Sequence, residues 1–399
     1  MGKGAPRSAA QARLPRAAAP AGGEREQPPA AAQAALPAEP RIVIIRFTSL
    51  GDVVKATILP RVIRARYPRA HLTMVTAEAH LPLIEGNPHL ERAIGFERRQ
   101  GLVALRRLAK GLRAEGCDLV VDVHKSLRSR LLAWWIGAPG VPYTKRTWAR
   151  TLLVRFGWNT YRAPRRKDQD FVAALAAFGV TDDGAGTELP LARVASDPVR
   201  LRRFAQPLAA IRRWREGALP VIGIAPVAAW PLKRWPLAHA RALMEGYVRE
   251  TGGGIVLFGG PGDREVAALA EGLEPHVVPL VGRTSLLESA WFASLCDVVV
   301  ANDTGMSHLA EAAGRDAIVL FGPTSEELGY FPLRPGSRVL QRDLPCRPCT
   351  RMGEGRCTHP LPQACLVTIA PEVVLAAVME RLGSRPRPSQ AKLEEGSHG

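Results

Sequence analysis

With 399 residues, 46% of them hydrophobic, the chain is long enough to fold as two domains with separate cores. Its formal charge of +17 suits anionic partners. No uninterrupted apolar run approaches the roughly 20 residues that a membrane helix needs, and the first 40 residues lack the apolar centre of a secretory signal.

Residues 1–40, rich in Ala, Pro, Arg and Gln, are expected to be a disordered tail, and so are 384–399. Arg41–Phe47, R-I-V-I-I-R-F, reads as a first strand. Thr48–Asp52 is a turn, and Val53–Tyr67 has the apolar spacing of a helix that Pro68 stops. Strand patterns recur at Leu72–Thr76 and Leu119–Val123, with a helical pattern at Leu102–Glu115 between them. This alternation predicts a doubly wound α/β unit over 41–205. The charge is concentrated in this half: Arg98–Lys167 holds 17 Lys/Arg against three acids. Within it, Gly140–Lys167 is basic, interleaved with aromatics and free of acids. Asp170–Phe178 is expected as helix and Thr181–Pro198 as a linker.

The pattern then restarts over 206–383. Val221–Ala225 and Ile255–Phe258 are strands, and Pro236–Glu250 is a helix. Gly259–Gly262 turns into a helix over Asp263–Leu273, and Ser285–Ser294 is helical. Asp297–Ala301 is a short β-branched strand, Asn302-Asp303-Thr304-Gly305 breaks it, and Met306–Ala313 is a helix. Ala317–Phe321 and Pro371–Leu382 supply a last strand and a closing helix. A strand, a polar turn and a helix aim free backbone N–H groups and a positive helix end above the sheet, where phosphates bind. Two such halves should face a cleft, with ligands at the carboxyl ends of the strands.

The first strand and its glycine turn invite a dinucleotide-binding reading, but its fingerprint counts against a hydride-transfer enzyme here. That reading requires G-x-G-x-x-G, and only Gly51 is present. The turn does offer Asp52, either as a general base for an incoming hydroxyl or as a cap for the next helix. In A-P-V-A-A-W-P-L-K-R-W-P, Lys233 and Arg234 lie between a strand and a helix, placed to neutralise a diphosphate. His308 lies one helical turn in and reads either as a ligand contact or as a satisfied core histidine. Cys117 and Cys296 read as small core residues. Cys346, Cys349, Cys357 and Cys365 share one loop. C-x-x-C is half of a common zinc site, but the other spacings fit no familiar ribbon, so reduced thiols are expected, with structural zinc as the alternative.

R-I-V-I-I-R-F-T-S-L-G-D-V-V, W-P-L-K-R-W-P, A-N-D-T-G-M-S-H-L-A and V-L-F-G-P-T-S together resemble the lipopolysaccharide heptosyltransferases of glycosyltransferase family 9, in order from about Arg41 to Leu382. The resemblance implies a GT-B fold of two Rossmann-like domains, 41–205 binding acceptor and 206–383 binding nucleotide sugar. It implies inverting, metal-independent transfer of heptose, with ADP-heptose as donor and no cofactor. Asp52 maps onto the base, Lys233 onto a donor-phosphate contact with Arg234 beside it. Asp303, Thr304, Gly305, Met306 and His308 map onto the segment against the donor, and Asp263 or Glu265 onto the ribose contact. Ser49, Lys145 and Arg146 are the acceptor-side candidates. Ala225-Pro226-Val227-Ala228 departs from the N-P-G-A common in the family, which leaves the donor less defined than the fold. The implied setting is the cytoplasmic face of the inner membrane, with an anionic glycolipid acceptor. A family member using another sugar, or a basic nucleic-acid-binding protein, are the rival readings; no recognised nucleic-acid module supports the second.

Overall fold

The computed structural model describes residues 35–161 and 166–383. Residues 1–34 of the tail expected over 1–40, the tail expected over 384–399, and Arg162 and Arg165 of the basic strip lie outside the described residues; residues 35–40 are described, with Leu36 packed against the first core and Pro40 buried.

The first half contains β1 (Arg41–Ile45), β2 (His71–Ala77), β3 (Arg92–Phe96) and β4 (Leu119–Asp122). They form a parallel sheet in the order β3-β2-β1-β4. After β1 come α1 (Leu50–Ala56) and α2 (Ile58–Arg66), so the single helix expected over Val53–Tyr67 is broken at Thr57. Pro60 accounts for the break: it has no N–H for the Ala56 carbonyl, and its ring crowds that oxygen. The helices α3 (Gly101–Ala114), α4 (Leu127–Ile136), α5 (Thr147–Phe156) and α6 (Lys167–Ala173) follow. The region expected as a linker carries α7 (Ala192–Ala195), and α8 (Pro198–Arg203) and α9 (Ala205–Glu216) lead into the second half.

There the chain runs β5 (Val221–Ala225), α10 (Leu237–Thr251), β6 (Gly254–Leu257), α11 (Arg264–Ala267), β7 (Val277–Pro279) and α12 (Leu286–Ser294). It continues as β8 (Val298–Asn302), α13 (Gly305–Ala312), β9 (Asp316–Phe321), β10 (Arg338–Gln341), α14 (Ala364–Val367) and α15 (Pro371–Gly383). The helix expected over Asp263–Leu273 is one turn of α-helix followed by a 3-10 turn. The second sheet is parallel in the order β10-β9-β8-β5-β6-β7. Its central strands β5, β8 and β9 are buried at every position, as expected for a sheet covered by helices on both faces.

Each sheet begins inside itself. The chain lays β2 and β3 to one side of β1, then returns to add β4 on the other; β5 stands in the same relation to β6–β7 and β8–β10. The two switch points, β1/β4 and β5/β8, are where ligands collect in such sheets. The halves share apolar packing as well: Leu309 and Ala312 of α13 lie in one core with Val53, Val54 and Leu59.

Candidate active site

Arg46 follows β1 directly. It continues the side of the strand that carries Ile42 and Ile44, so its guanidinium is turned inward and only 4% exposed. Asp52, 6% exposed, lies in the first turn of α1. Its carboxylate forms an ion pair with Arg46 Nη2, accepts from Ser49 Oγ at 3.0 Å and accepts from Tyr330 Oη at 3.2 Å. Asp52 is therefore not the cap of α1; that position belongs to Ser49, and no side chain caps the helix. Burial raises the Asp52 carboxyl, and Arg46, Lys167 and the Ser49 and Tyr330 hydrogen bonds more than reverse it, leaving it below the ordinary carboxylate value. The group stands ionised as a proton acceptor.

A shell of nitrogen and hydroxyl groups surrounds it. Arg46 Nε, Lys55 Nζ, His124 Nδ1, Tyr143 Oη and Arg150 Nε are all buried without a hydrogen-bond partner among the described residues. Buried polar groups are nearly always paired, so a cluster of orphans marks a place built for a polar ligand. Burial, with Arg46 and Lys145 nearby, pushes the His124 imidazole down to about 4. Lys145 is half-buried and lowered first by burial and then by Arg46. Lys167 Nζ lies 5.5 Å from the Tyr143 ring centroid and 5.8 Å from that of Phe171. Burial brings its amine down to about 8, against the opposing pull of Asp52. Its charge is present below about pH 8 and lost as pH rises through that value. For an anionic acceptor, kcat/KM should therefore fall by up to about tenfold over the pH unit above 8. Lys167→Arg, which stays charged, should flatten that limb in a pH–rate profile at sub-saturating acceptor.

The second half meets this group through α13. A Cβ on Gly51 would come within 2.5 Å of His308 Cδ2, and one on Gly305 within 2.3 Å of Leu50 Cδ2. Only glycines let α1 and α13 approach this closely. His308 is buried, with its ring centroid 6.3 Å from that of Tyr330; burial, then Lys55, holds its imidazole well below the ordinary value. From the adjacent loop, Gly329 accepts from the Lys167 backbone N–H at 3.1 Å, and Tyr330 reaches Asp52.

At the β5/β8 switch, Lys233 Nζ pairs with Asp303 Oδ2 at 2.6 Å, and Thr324 Oγ1 donates to the same oxygen at 2.6 Å. Asn302 ties the lysine loop down, accepting from Trp235 N–H at 3.3 Å and donating to the Val227 carbonyl at 3.2 Å. Thr304 starts α13 in extended backbone without a side-chain cap, so the first N–H groups of the helix stay free. Thr304 Oγ1 and Ser325 Oγ are buried without hydrogen-bond partners among the described residues. Cation, free amides, helix dipole and two orphan hydroxyls make a strong anion cradle.

Other candidates fall further out. Arg234 is exposed and donates to the Ala228 carbonyl at 2.8 Å. Asp263 accepts from Gly260 N–H at 2.7 Å, holding the glycine turn, whereas Glu265 is exposed. Arg146 is exposed at the start of α5. The four-cysteine loop lies against the lysine loop, since a Cβ on Gly353 would sit 2.7 Å from Trp230 Cβ and 3.0 Å from Lys233 Cγ. Its cysteines are free thiols, and no group of three or more His, Cys, Asp or Glu among the described residues is placed to hold a metal ion. Burial raises the Cys349 thiol, and brings that of Cys365 up to about 11.

Residues 105–356 match the model of glycosyltransferase family 9 (heptosyltransferase). The chain belongs to this family. It is a glycosyltransferase. Lipooligosaccharide heptosyltransferase 2 of Haemophilus influenzae is 28% identical over 311 residues, 73% of this chain and 85% of that protein. The family 9 glycosyl transferase of Veillonella parvula superposes with a TM-score of 0.68 at 23% identity, covering 88% of this chain and 99% of that one. The ADP-heptose lipopolysaccharide heptosyltransferase II of Escherichia coli does so with a TM-score of 0.62 at 22% identity, covering 86% and 98%. The fold of the glycosyltransferase is thus GT-B, two Rossmann-like units of parallel sheet.

The expectations for this site omitted Arg46, Lys55, His124, Ser325 and Tyr330, and held Lys167 only as the last residue of the basic segment. Arg46 had a signal, a charge on the inward side of a buried strand. Tyr330 had none, because its meeting with Asp52 spans 278 residues.

Proposed function

We propose that the glycosyltransferase transfers heptose, with inversion and without a metal, from ADP-heptose to an anionic sugar of a lipopolysaccharide core. The observation that carries this is the ionised Asp52 held against the N-terminal turn of α13. The segment 206–383 holds the donor, with its diphosphate on Lys233 and the free amides of residues 304–306. The segment 41–205 holds the acceptor, with its anionic groups on Lys145, Arg150 and Lys167 and its attacking hydroxyl near Ser49. Asp52 takes the hydroxyl proton as the oxygen attacks the anomeric carbon from the side opposite the diphosphate. The bond to the diphosphate breaks, its electron pair leaves on the phosphate oxygen, and Lys233 with the helix dipole meets that charge. His308 lies between base and donor, where its neutral imidazole can hydrogen-bond the sugar.

A fixed cation and helix end supply what a divalent ion supplies elsewhere. The D-x-D of the first half, Asp168-Gln169-Asp170, lies on α6 with Asp168 bound to Arg166. Work on the cytoplasmic face of the inner membrane follows from the nucleotide-sugar donor and lipid-linked acceptor; no helix among the described residues is long and apolar enough to cross a membrane. The test is ADP release and product mass with ADP-heptose and a deacylated core acceptor, with and without EDTA. Turnover unchanged by the chelator supports the reading. Activity that collapses and returns with magnesium or manganese overturns the metal-free assignment, and no turnover of ADP-heptose with any core acceptor overturns the donor.

A further inference from the structure

α5 is a ten-residue helix that buries a single side chain, Leu153. A helix this short is marginal in water and depends on packing for its stability. Two faces divide it. Trp148, Leu152, Arg155 and Phe156 follow the i, i+4, i+7, i+8 spacing of one face, and Arg150 and Leu153 lie on the other. The inner face serves the site, since Arg150 acts on the charges of Lys145, Lys167 and Tyr330. The outer face is apolar and open: Trp148 is 82% exposed and Phe156 58%. Just beyond the helix, Trp158 is 64% exposed and stacks near Phe156, ring centroids 5.5 Å apart. Large aromatics in such a group are unusual on a free surface and mark an interaction site. Exposed Arg146 and Arg155 flank them with no acid in the segment. Aromatic rings beside arginines, on a helix too short to span, fit the headgroup layer of an anionic bilayer.

We propose that the outer face of α5 inserts into the headgroup region of an anionic phospholipid bilayer, placing the cleft at the membrane plane where a lipid-anchored acceptor enters it. This rests on the acceptor reading above and goes beyond charge attraction, which needs no insertion. Asn159, next to Trp158, donates to Glu327 Oε1 at 3.1 Å, so the inserted segment touches the second half at the cleft mouth.

The test uses the full chain with phosphatidylcholine vesicles containing phosphatidylglycerol, with and without brominated acyl chains. Tryptophan fluorescence should be quenched by the brominated lipid, and part of the binding should persist in high salt. W148A/F156A/W158A should lose roughly tenfold or more of its vesicle partitioning, with turnover of a deacylated acceptor unchanged. Trp148→Phe, which keeps an apolar ring, should still bind while losing much of the quenching. Wild-type protein that is not quenched, or whose binding vanishes entirely with salt, overturns insertion. So does self-association without lipid that the triple variant abolishes. Quenched wild-type protein that turns over no core acceptor would sink the acceptor reading and leave insertion standing.

Discussion

Asp52→Asn should lower kcat by ~10²–10⁴, the usual share of a general base. The amide keeps the size of the carboxylate but cannot take the acceptor proton. Its stability cost follows from Arg46, which would lose its ionic partner inside the protein. Removing one member of a buried pair is destabilising by up to about 3–5 kcal/mol, so the melting temperature should fall. Arg46→Met in the same chain removes the stranded charge and should restore much of the melting temperature without restoring turnover. The measurement is kcat at saturating donor and acceptor, beside a thermal melt and ADP binding. An Asp52→Asn enzyme within about threefold of wild type would refute the base assignment, and His308 would be tested next.

Lys233→Ala should weaken ADP binding by about 1.5–3 kcal/mol, roughly 10–150-fold, as expected for a charge-assisted phosphate contact. The pairing with Asp303 adds a second arm to the experiment. Without Lys233, the Asp303 carboxylate keeps only Thr324 on its Oδ2 and presents an uncompensated charge to the diphosphate. Asp303→Asn added to Lys233→Ala should therefore recover part of the lost affinity. Titration calorimetry with ADP reads both. Wild-type affinity in Lys233→Ala, accompanied only by a lower melting temperature, would make the lysine a structural partner of Asp303 and nothing more.

Parallel strands and their turns were legible in the sequence because burial on both faces writes them as short apolar runs rich in β-branched residues, as in β5 and β8. The turns after those strands carried the donor candidates for the same reason, and Lys233 and Asp303 do meet. Elements whose identity depends on tertiary contact were not legible. β7 has three residues, and α5 has too little apolar periodicity facing inward to be separated from a basic coil. The surroundings of Asp52 were half legible. The acid itself was clear, but its partners come from β1, α6 and the loop after β9, and no local pattern joins residues so far apart. Pro60 could have been read as the break in the first helix from its missing N–H alone.

The close contact of Gly51 with His308 and of Gly305 with Leu50 has a mechanical consequence. Each glycine backbone bears directly on a side chain of the opposite helix, which makes the contact a natural fulcrum between the halves. Any rocking of the halves about it would carry the lips bearing Trp158 and Glu327 on long lever arms, while points beside the fulcrum would hardly move. Asp52 and the first turn of α13 are such points. The spacing between the proposed base and the proposed diphosphate cradle is thus set beside the axle, where such an opening would change it least.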